Sequence, residues 1–280
     1  MPERPSPVND VPLVSVLLPV LNPDPAMLGK AVKSILDQDY PELELVIVED
    51  PGQRTGSEVV EGFADGRVRY TLNKERTSLR EQLNLGVSLA RGEFIARMDA
   101  DDISRPERIR KQAAYLKDNP GITLVGSNLE LIDGRDRTIG YRRFPESHDG
   151  IYRDLRLYCS VAHPAVMFRK SHVVEAGCYQ VESPMEDWDL WCRMAIKGRR
   201  FHNIQEPLLK YRVHTQAGKF LSMRKTLLTG IELKERHFKG RPGEWGFREG
   251  FRCFVERLFM FMPPLLVLKL FLLSTVRDRP

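Results

Sequence analysis

The stretch A-R-G-E-F-I-A-R-M-D-A-D-D, residues 90 to 102, joins an apolar run to three acidic residues. Phe94 to Met98 predict a buried strand, and Asp99, Asp101 and Asp102 follow that strand directly. Three carboxylates at a strand end repel one another and lose hydration unless a cation or several hydrogen-bond donors compensate. Clusters rich in oxygen ligands suit Mg²⁺ or Mn²⁺. The stretch therefore predicts a divalent-metal site.

Helix capping is the alternative explanation for these acids. A helix is predicted to begin near Pro106, and an Asp before a Pro-containing first turn is an ordinary start signal. Asp101 or Asp102 would then cap that helix. Capping explains one Asp of the cluster but not all three, so we prefer the metal site.

Apolar runs and helical patterns alternate in the residues before the acidic cluster. Strands are predicted at residues 14–18, 43–48, 68–72 and 94–98, and helices at residues 26–38, 56–64 and 78–90. This alternation is typical of an α/β fold with a mostly parallel central sheet and helices on both of its faces. The 280 residues, 42% of them hydrophobic, suffice for one large domain and an appendage.

Polar residues follow the predicted strands. Pro19 to Asn22 come after the first strand, and Glu49 and Asp50 come after the second. In open parallel sheets, ligands bind beyond the carboxyl ends of the strands, so we expect these residues and the acidic cluster to line one cleft. The sequence after the first strand lacks the glycines of a dinucleotide-binding turn or a P-loop, which argues against both.

Charge and cysteine content narrow the class of protein only in part. The net charge of +5 and the pI near 9.0 are compatible with nucleic acid, anionic lipid or phosphorylated ligands. The four cysteines include no C-x-x-C pair, which argues against structural zinc and a disulfide-stapled secreted domain. Residues 1–10 lack an apolar core of signal-peptide length. We therefore expect a reducing, cytoplasmic setting.

Six segments occur in a characteristic order along the chain. They are V-S-V-L-L-P-V at 14–20, S-I-L-D-Q-D-Y at 34–40, L-V-I-V-E-D at 45–50, the stretch at 90–102, H-P-A-V-M-F-R at 163–169 and M-E-D-W-D-L-W at 185–191. In order and spacing they resemble the segments of family 2 glycosyltransferases, which have the GT-A fold. The resemblance covers roughly the first two hundred residues. It implies an α/β GT-A fold with a Rossmann-like, mostly parallel central sheet and helices on both faces. The residues after this fold depart from the family pattern, and their own composition predicts a helical, membrane-associating C-terminal segment.

The resemblance implies a metal-dependent hexosyltransferase that inverts the anomeric carbon by single displacement. The expected donor is a nucleotide-diphosphate sugar, a UDP-sugar above all, and Mn²⁺ or Mg²⁺ would neutralise the diphosphate leaving group. By the family pattern Asp101 contacts the metal directly. Asp99 meets the ribose hydroxyls or a metal-bound water, and Asp102 only orients the loop.

Other donor-side residues follow from the same resemblance. Asp50 matches the position that hydrogen-bonds the nucleotide base, although a turn residue before Pro51 is nearly as good an explanation. Pro19 opens the loop that lines the same pocket, and Val20 and Asn22 lie beside it.

Two basic residues are candidates for the diphosphate. Arg76, after the third strand, reaches the diphosphate or is simply a solvated loop arginine. His214 ends the segment Y-R-V-H at 211–214, which resembles the Y-R-x-H of the family. Its implied role is contact with the metal or the diphosphate once the loop orders on donor binding.

The acceptor side is predicted around the segment at 185–191. Asp187 matches the second acid of the family's E-D pair at the start of a helix and is our candidate general base. The alternative is a plain helix N-terminus, which would account for Glu186. Trp188 flanks the acceptor pocket or packs in the core. His163 fits a position that lines the acceptor side or is a structural histidine.

Residues 258–276 are almost wholly apolar and just long enough to span a bilayer. Pro263 and Pro264 divide the run and Lys269 interrupts it, so an interfacial or re-entrant segment is at least as plausible. Burial against the catalytic domain or within a homo-oligomer is the alternative. We predict association with the inner face of the cell membrane, and a glycan or polyprenyl-linked acceptor of surface-polysaccharide assembly.

The predicted organisation is a flexible N-terminus (1–12), a catalytic domain (13–216) with nucleotide-binding (13–102) and acceptor (103–216) halves, and a helical extension (217–280). Two other functions stay open. A nucleotidyltransferase for sugar phosphates would need a Gly-rich basic loop after the first strand, and a non-catalytic GT-A-fold binding subunit would be expected to lose the acids at 99, 101 and 187. We expect no nucleic-acid partner.

Overall fold

The computed structural model describes residues 11–182, 184–213, 218–259 and 261–262, without the side chains of 218–224. The strands are β1 (Val14–Leu21), β2 (Leu43–Asp50), β3 (Val68–Leu72), β4 (Phe94–Arg97), β5 (Ile103–Ser104), β6 (Ile122–Ile132), β7 (Thr138–Arg142), β8 (Met167–Arg169) and β9 (Arg200–Arg212). The helices are α1 (Pro25–Leu36), α2 (Ser57–Glu61), α3 (Leu79–Leu89), α4 (Arg108–Asp118), α5 (His148–Leu155), α6 (Lys170–Glu175), α7 (Glu186–Ile196), α8 (Gly218–Phe238) and α9 (Phe247–Phe259). A 3₁₀ turn covers His163–Ala165.

One mixed sheet organises the described part of the chain, in the order β3-β2-β1-β4-β8-β6-β9-β5, with β7 paired to β6. The strands β3, β2, β1 and β4 are parallel, which confirms the alternation predicted for residues 14–98. The second half mixes directions: β8 is antiparallel to both β4 and β6, whereas β6 and β9 run parallel. This half places the chain after the acidic cluster beside the parallel half of the same sheet.

The first strand is longer than its apolar run indicates. Pro19 and Val20 lie inside β1, where they pair with Val48 and Glu49, so the prediction that Pro19 opens a loop is wrong. A proline fits there because the pairing of β1 with β4 ends at Leu17, so that Pro19 has a strand partner on one side only. The chain leaves the strand after Leu21.

Helices cover both faces of the sheet, as predicted. Alternate residues of β1 enter different cores because successive strand side chains point to opposite faces. Val16 and Leu18 pack in the core that contains Ile35 of α1, whereas Leu17 packs with Leu83 of α3. The second core also holds most of α7.

Helix α4 begins at Arg108, with Glu107 at the N-cap and no side-chain capping bond. The capping explanation for Asp101 or Asp102 is therefore wrong. The short strand β5 lies between the acidic cluster and this helix. The Asp102 carboxylate is used elsewhere, because its Oδ1 accepts a hydrogen bond of 2.8 Å from the backbone N–H of Arg212.

The C-terminal helices attach to the domain through buried polar contacts. Lys234 of α8 and Glu256 of α9 form a buried ion pair. His237 Nε2 lies 2.9 Å from Asp189 Oδ1, which connects α8 to α7. Of the predicted apolar segment 258–276, residue 260 and residues 263–276 lie outside the described part of the chain. Within the described residues, no helix is both long enough and apolar enough to cross a bilayer.

Candidate active site

The three acids after β4 converge. Asp99, Asp101 and Asp102 each place a carboxylate oxygen within 4.8 Å of the others. Burial, together with repulsion from Asp99 and Asp101, raises the pKa of Asp102 well above its usual range. Its Oδ2 is buried and has no hydrogen-bond partner among the described residues. Crowded carboxylates with an unsatisfied oxygen are the donor set that Mg²⁺ or Mn²⁺ prefers, so the residues fit a divalent cation.

Arg212 fixes the loop that carries these acids. Its Nε donates to the backbone oxygen of Asp101 (2.8 Å) and its Nη1 to that of Asp133 (2.8 Å). Its Nη2 lies 2.6 Å from Asp136 Oδ1. The buried guanidinium thus joins the acidic loop to the turn between β6 and β7. Sequence reasoning assigned no role to Arg212 beyond its place in the 211–214 segment.

Arg97, the last residue of β4, is a site residue that sequence reasoning missed. Its side chain is 4% exposed, and its Nη2 lies 2.6 Å from Asp99 Oδ1. Burial alone would lower the pKa of Arg97, but the charge and hydrogen bond of Asp99 outweigh this and raise it. Arg108 Nη2 donates to the backbone oxygen of Arg97 (2.7 Å) and holds the strand end in place. The sequence signal that could have identified Arg97 is a charged residue inside an otherwise apolar strand.

A cavity of about 280 Å³ connects the acidic cluster to the start of α7. Its lining includes Arg97, Asp99, His163, Glu186, Asp187 and Tyr211. Asp99 of the acidic cluster and the predicted general base Asp187 therefore open onto one space. Residues of β4, β9, α7 and the 3₁₀ turn, which are far apart in sequence, build this cavity.

Asp187 stands in the first turn of α7. Its Oδ1 accepts from the backbone N–H of Trp188 (2.7 Å), and Cys159 Sγ lies 3.6 Å from its Oδ2. Burial raises the pKa of Asp187. The pKa of Glu186 is raised to about 7 by burial and by the charge of Asp187. This pair therefore holds protons more tightly than exposed carboxylates do.

His163 of the 3₁₀ turn lies beside Glu186. Its Nε2 lies 3.0 Å from the hydroxyl of Tyr179, and its Nδ1 lies 3.7 Å from Glu186 Oε1. Burial, with a contribution from the charge of Arg97, lowers the pKa of His163 well below its usual range. The imidazole is therefore neutral at pH 7, and its two nitrogens face the Tyr179 hydroxyl and the Glu186 carboxyl.

The structure does not bring Trp188 to the cavity. Its indole is buried, its Nε1 donates to the backbone oxygen of Leu155 (2.9 Å), and Lys234 Nζ lies 5.8 Å from the ring centroid. One residue along a helix rotates the side chain by about 100°, so Asp187 faces the cavity while Trp188 faces α5 and α8. The expectation that Trp188 flanks the acceptor pocket is corrected: it packs in the core.

On the predicted donor side, Asp50 is the last residue of β2 and is buried. Its carboxylate accepts from Asn73 Nδ2 (2.7 Å) and from the backbone N–H of Thr77 (2.7 Å). These bonds tie β2 to the loop between β3 and α3 rather than to the turn that follows Asp50. The same loop carries Arg76, which is exposed.

Asn22 organises the loop after β1. It has a left-handed backbone (φ 49°), which Asn tolerates better than most residues. Its Oδ1 accepts from the backbone N–H of Gln53 at 2.6 Å, and a Cβ on Gly52 would lie only 2.1 Å from the same oxygen. The loops after β1 and β2 are thereby joined at the carboxyl edge of the sheet. The predicted metal contact of His214 lies outside the described residues.

The chain belongs to glycosyl transferase family 2, whose family model matches residues 15–229. Among curated relatives, the O-antigen biosynthesis glycosyltransferase WbnJ of Escherichia coli is 32% identical over 213 residues, covering 73% of this chain and 81% of the relative. The amylovoran biosynthesis glycosyltransferase AmsE of Erwinia amylovora is 32% identical over 205 residues, covering 71% and 76%.

Solved structures confirm the GT-A fold predicted from the sequence. S. aureus TarS 1–349, in complex with UDP, matches with a TM-score of 0.66 at 16% identity and covers 88% of this chain and 72% of its own. Mannosyltransferase PcManGT from Pyrobaculum calidifontis, in complex with GDP-Man and Mn²⁺, matches with a TM-score of 0.64 at 15% identity, covering 91% and 72%. The protein is therefore a family 2 glycosyltransferase with a GT-A fold.

Proposed function

We propose that this glycosyltransferase is a metal-dependent, inverting hexosyltransferase that moves a sugar from a nucleotide-diphosphate donor to an acceptor hydroxyl. The observation that carries the proposal is the shared cavity, which Asp99, Asp187 and Arg97 all line, with Arg97 in an ion pair with Asp99. Single displacement needs a leaving-group site and a base on opposite sides of the reacting carbon. The acidic cluster and the start of α7 supply these two sides.

The donor lies on the side of the acidic cluster in this proposal. Asp101 would hold Mn²⁺ or Mg²⁺, which when bound neutralises charge on the departing diphosphate. Asp99, oriented by Arg97, meets the ribose or a metal-bound water. Asp50 meets the nucleotide base, and Arg76 and His214 close over the diphosphate. A UDP-sugar is the proposed donor, in line with the UDP complex of TarS.

The acceptor enters from the side of α7. Asp187 removes the proton of the acceptor hydroxyl. At the same time the hydroxyl oxygen bonds to the anomeric carbon, and the bond from that carbon to the diphosphate oxygen breaks. The raised pKa of Asp187 brings this base closer to neutral pH, where proton transfer is more favourable. His163 and Glu186 shape the acceptor subsite, where neutral His163 and the Glu186 carboxyl offer hydrogen bonds to sugar hydroxyls.

We propose a lipid-linked or growing surface-polysaccharide glycan as the acceptor, reached at the inner face of the cell membrane. The support is that WbnJ and AmsE are named for O-antigen and amylovoran biosynthesis. In the proposed organisation, residues 13–216 perform the transfer and residues 217–280 hold the enzyme near its acceptor. The proposal includes no nucleic-acid partner.

A transfer assay tests the proposal. The full chain is incubated with UDP- and GDP-sugars, Mn²⁺ or EDTA, and lipid-linked or soluble glycan acceptors, and NMR determines the anomeric configuration of the product. We expect Mn²⁺-dependent transfer with inverted configuration. Retained configuration would contradict single displacement. Release of pyrophosphate from a nucleoside triphosphate and a sugar phosphate would indicate the nucleotidyltransferase, and donor binding without turnover would indicate a non-catalytic subunit.

A further inference from the structure

Helix α9 carries a row of exposed apolar side chains. Phe247 is 86% exposed, Phe251 and Phe254 are each 55% exposed, and Leu258 is 48% exposed. Phe261, in the turn directly after the helix, is 84% exposed. The rings of Phe247 and Phe251 stack on each other, with centroids 5.7 Å apart. We call these five residues the aromatic stripe.

The stripe lies opposite the face by which α9 is attached. At about 100° per residue, the four helical members of the stripe fall within an arc of about 60°. The buried residues Glu249, Cys253 and Glu256 lie on the other side of the helix. The helix is therefore already packed against the domain, and its aromatic side faces away from the protein.

The charged residues of α9 also divide between its two sides, with acids on the buried side and arginines on the exposed side. Both of its acids are buried, Glu256 against Lys234 and Glu249 against the backbone N–H of Gly246 (3.0 Å). The exposed charged residues of the helix are Arg248, Arg252 and Arg257. Arg248 and Arg257 flank the stripe on its two sides by the same helical geometry. The outward surface of α9 is therefore apolar along its centre with arginines at its edges, of which Arg257 also lies 3.2 Å from Glu235 of α8.

We propose that α9 lies in the plane of an anionic lipid bilayer, with the aromatic stripe inserted among the acyl chains and the arginines at the headgroups. An exposed apolar stripe flanked by basic residues is typical of helices that bind membrane interfaces. The sequence continues directly from the stripe into the apolar residues 265–268 and 270–273. This inference deepens the membrane-linked acceptor of the proposed function by naming the surface that meets the lipid.

Charge complementarity favours anionic lipid over a second copy of the chain. A two-fold pairing of stripe against stripe would bring the flanking arginines of both copies close together, where like charges repel. Anionic headgroups instead neutralise them, and long arginine side chains reach headgroups while their stems stay on apolar surface.

Vesicle flotation tests the inference with the full chain. The probes are vesicles of phosphatidylcholine alone and of phosphatidylcholine with phosphatidylglycerol at about 3:1, at physiological salt. The test variant is F251S/F254S. The control, I139S/V174S, removes two apolar side chains of similar exposure from β7 and α6. We expect the wild type and the control to float with the anionic vesicles, and the test variant to lose about tenfold or more in partition coefficient.

Two results would overturn the inference. One is flotation of F251S/F254S equal to that of wild type. The other is a combination of weak vesicle binding by the wild type with an oligomer that light scattering detects without vesicles and that F251S/F254S converts to a monomer. That result would assign the aromatic stripe to contact with a second copy of the chain. Transfer to a soluble acceptor should be unchanged in F251S/F254S, so failure of the membrane surface and failure of the proposed reaction are separate outcomes.

Discussion

Arg97 Nη2 and Asp99 Oδ1 lie 2.6 Å apart at the end of β4, and both side chains line the cavity that also contains Asp187. Asp99, which we propose meets the ribose or a metal-bound water, is therefore held by a residue that shares a cavity with the start of α7. Arg97 also lowers the pKa of Glu186 and of Asp187 through its positive charge, which partly offsets the effect of burial. One buried guanidinium thus acts on both sides of the proposed reaction.

Replacing Arg97 by methionine should reduce kcat by about a hundredfold or more, with a smaller change in donor affinity. Asp99 would lose its orienting partner, and the carboxyls of α7 would lose the nearby positive charge. Steady-state kinetics of Arg97→Met measures this. The matched control is Arg110→Met, which breaks an exposed ion pair with Asp39 and should stay within about twofold of wild type. Wild-type kcat in Arg97→Met would contradict the positioning role.

Asp187→Asn should separate binding from chemistry. The amide keeps the shape of the side chain but cannot take a proton, so we expect donor binding within about twofold of wild type and transfer reduced by about a thousandfold. Calorimetric titration of the donor and a transfer assay measure the two effects. Exposed Glu182→Gln in the preceding loop is the control. Full activity of Asp187→Asn would show that another group is the base.

The pKa of Glu186, raised to about 7, makes stability depend on pH. Because the pKa of Glu186 is 4.5 in the unfolded chain and about 7 in the folded protein, the folded protein binds this proton more tightly. The contribution of the protonated carboxyl to stability is fully present below pH 4.5 and is lost as the pH rises through 7. The glutamine of Glu186→Gln does not titrate, so this variant keeps its stability over the same pH range. The free energy of unfolding of Glu186→Gln relative to wild type should be higher at about pH 8 than at about pH 5 by roughly 1–3 kcal/mol.

Urea denaturation at the two pH values measures this difference for Glu186→Gln. Glu175→Gln, whose side chain is exposed in an ion pair with Arg199, is the control and should show no comparable pH dependence. A difference of the opposite sign for Glu186→Gln would mean that Glu186 is stabilised in its ionised form.

Arg212→Met should destabilise the protein by about 3 kcal/mol, because it leaves two backbone oxygens and Asp136 without a buried cation. The control is Arg137→Met, which breaks an exposed pair with Asp133 and should cost less than about 1 kcal/mol. Chemical denaturation compares the two variants. Equal stabilities would show that Arg212 does not fix the acidic loop.

The parallel half of the sheet is predictable from the sequence because its strands are short apolar runs separated by clear helical patterns. β1 to β4 begin at Val14, Leu43, Val68 and Phe94, as predicted. The ends of these strands are harder to predict, since β1 continues through Pro19 and β2 includes the acids Glu49 and Asp50. Buried acids at a strand end are stabilised by partners elsewhere in the chain, such as Thr77 for Asp50.

The other half of the sheet is harder to predict because its strands contain buried polar residues. Asn128 and Glu130 of β6 interrupt the apolar pattern, and they are satisfied by the backbone of Phe144 and by Arg105. The long parallel pairing of β6 with β9 joins residues about eighty positions apart. The acidic cluster and Asp187 were predicted from short motifs. Arg97 and Cys159 were identified as site residues only from the structure, because both line the cavity.

Divalent-metal-dependent binding of a nucleoside diphosphate is the central claim, and thermal unfolding with UDP or GDP, in Mn²⁺ or EDTA, tests it most directly. At a hundredfold excess over Kd, the cognate nucleotide should raise the wild-type Tm by about 5 °C in Mn²⁺ but not in EDTA. Asp101→Ala should abolish this shift, and Asp118→Ala, at an exposed position on α4, should keep it. An equal shift in EDTA, or an undiminished shift in Asp101→Ala, would contradict the account.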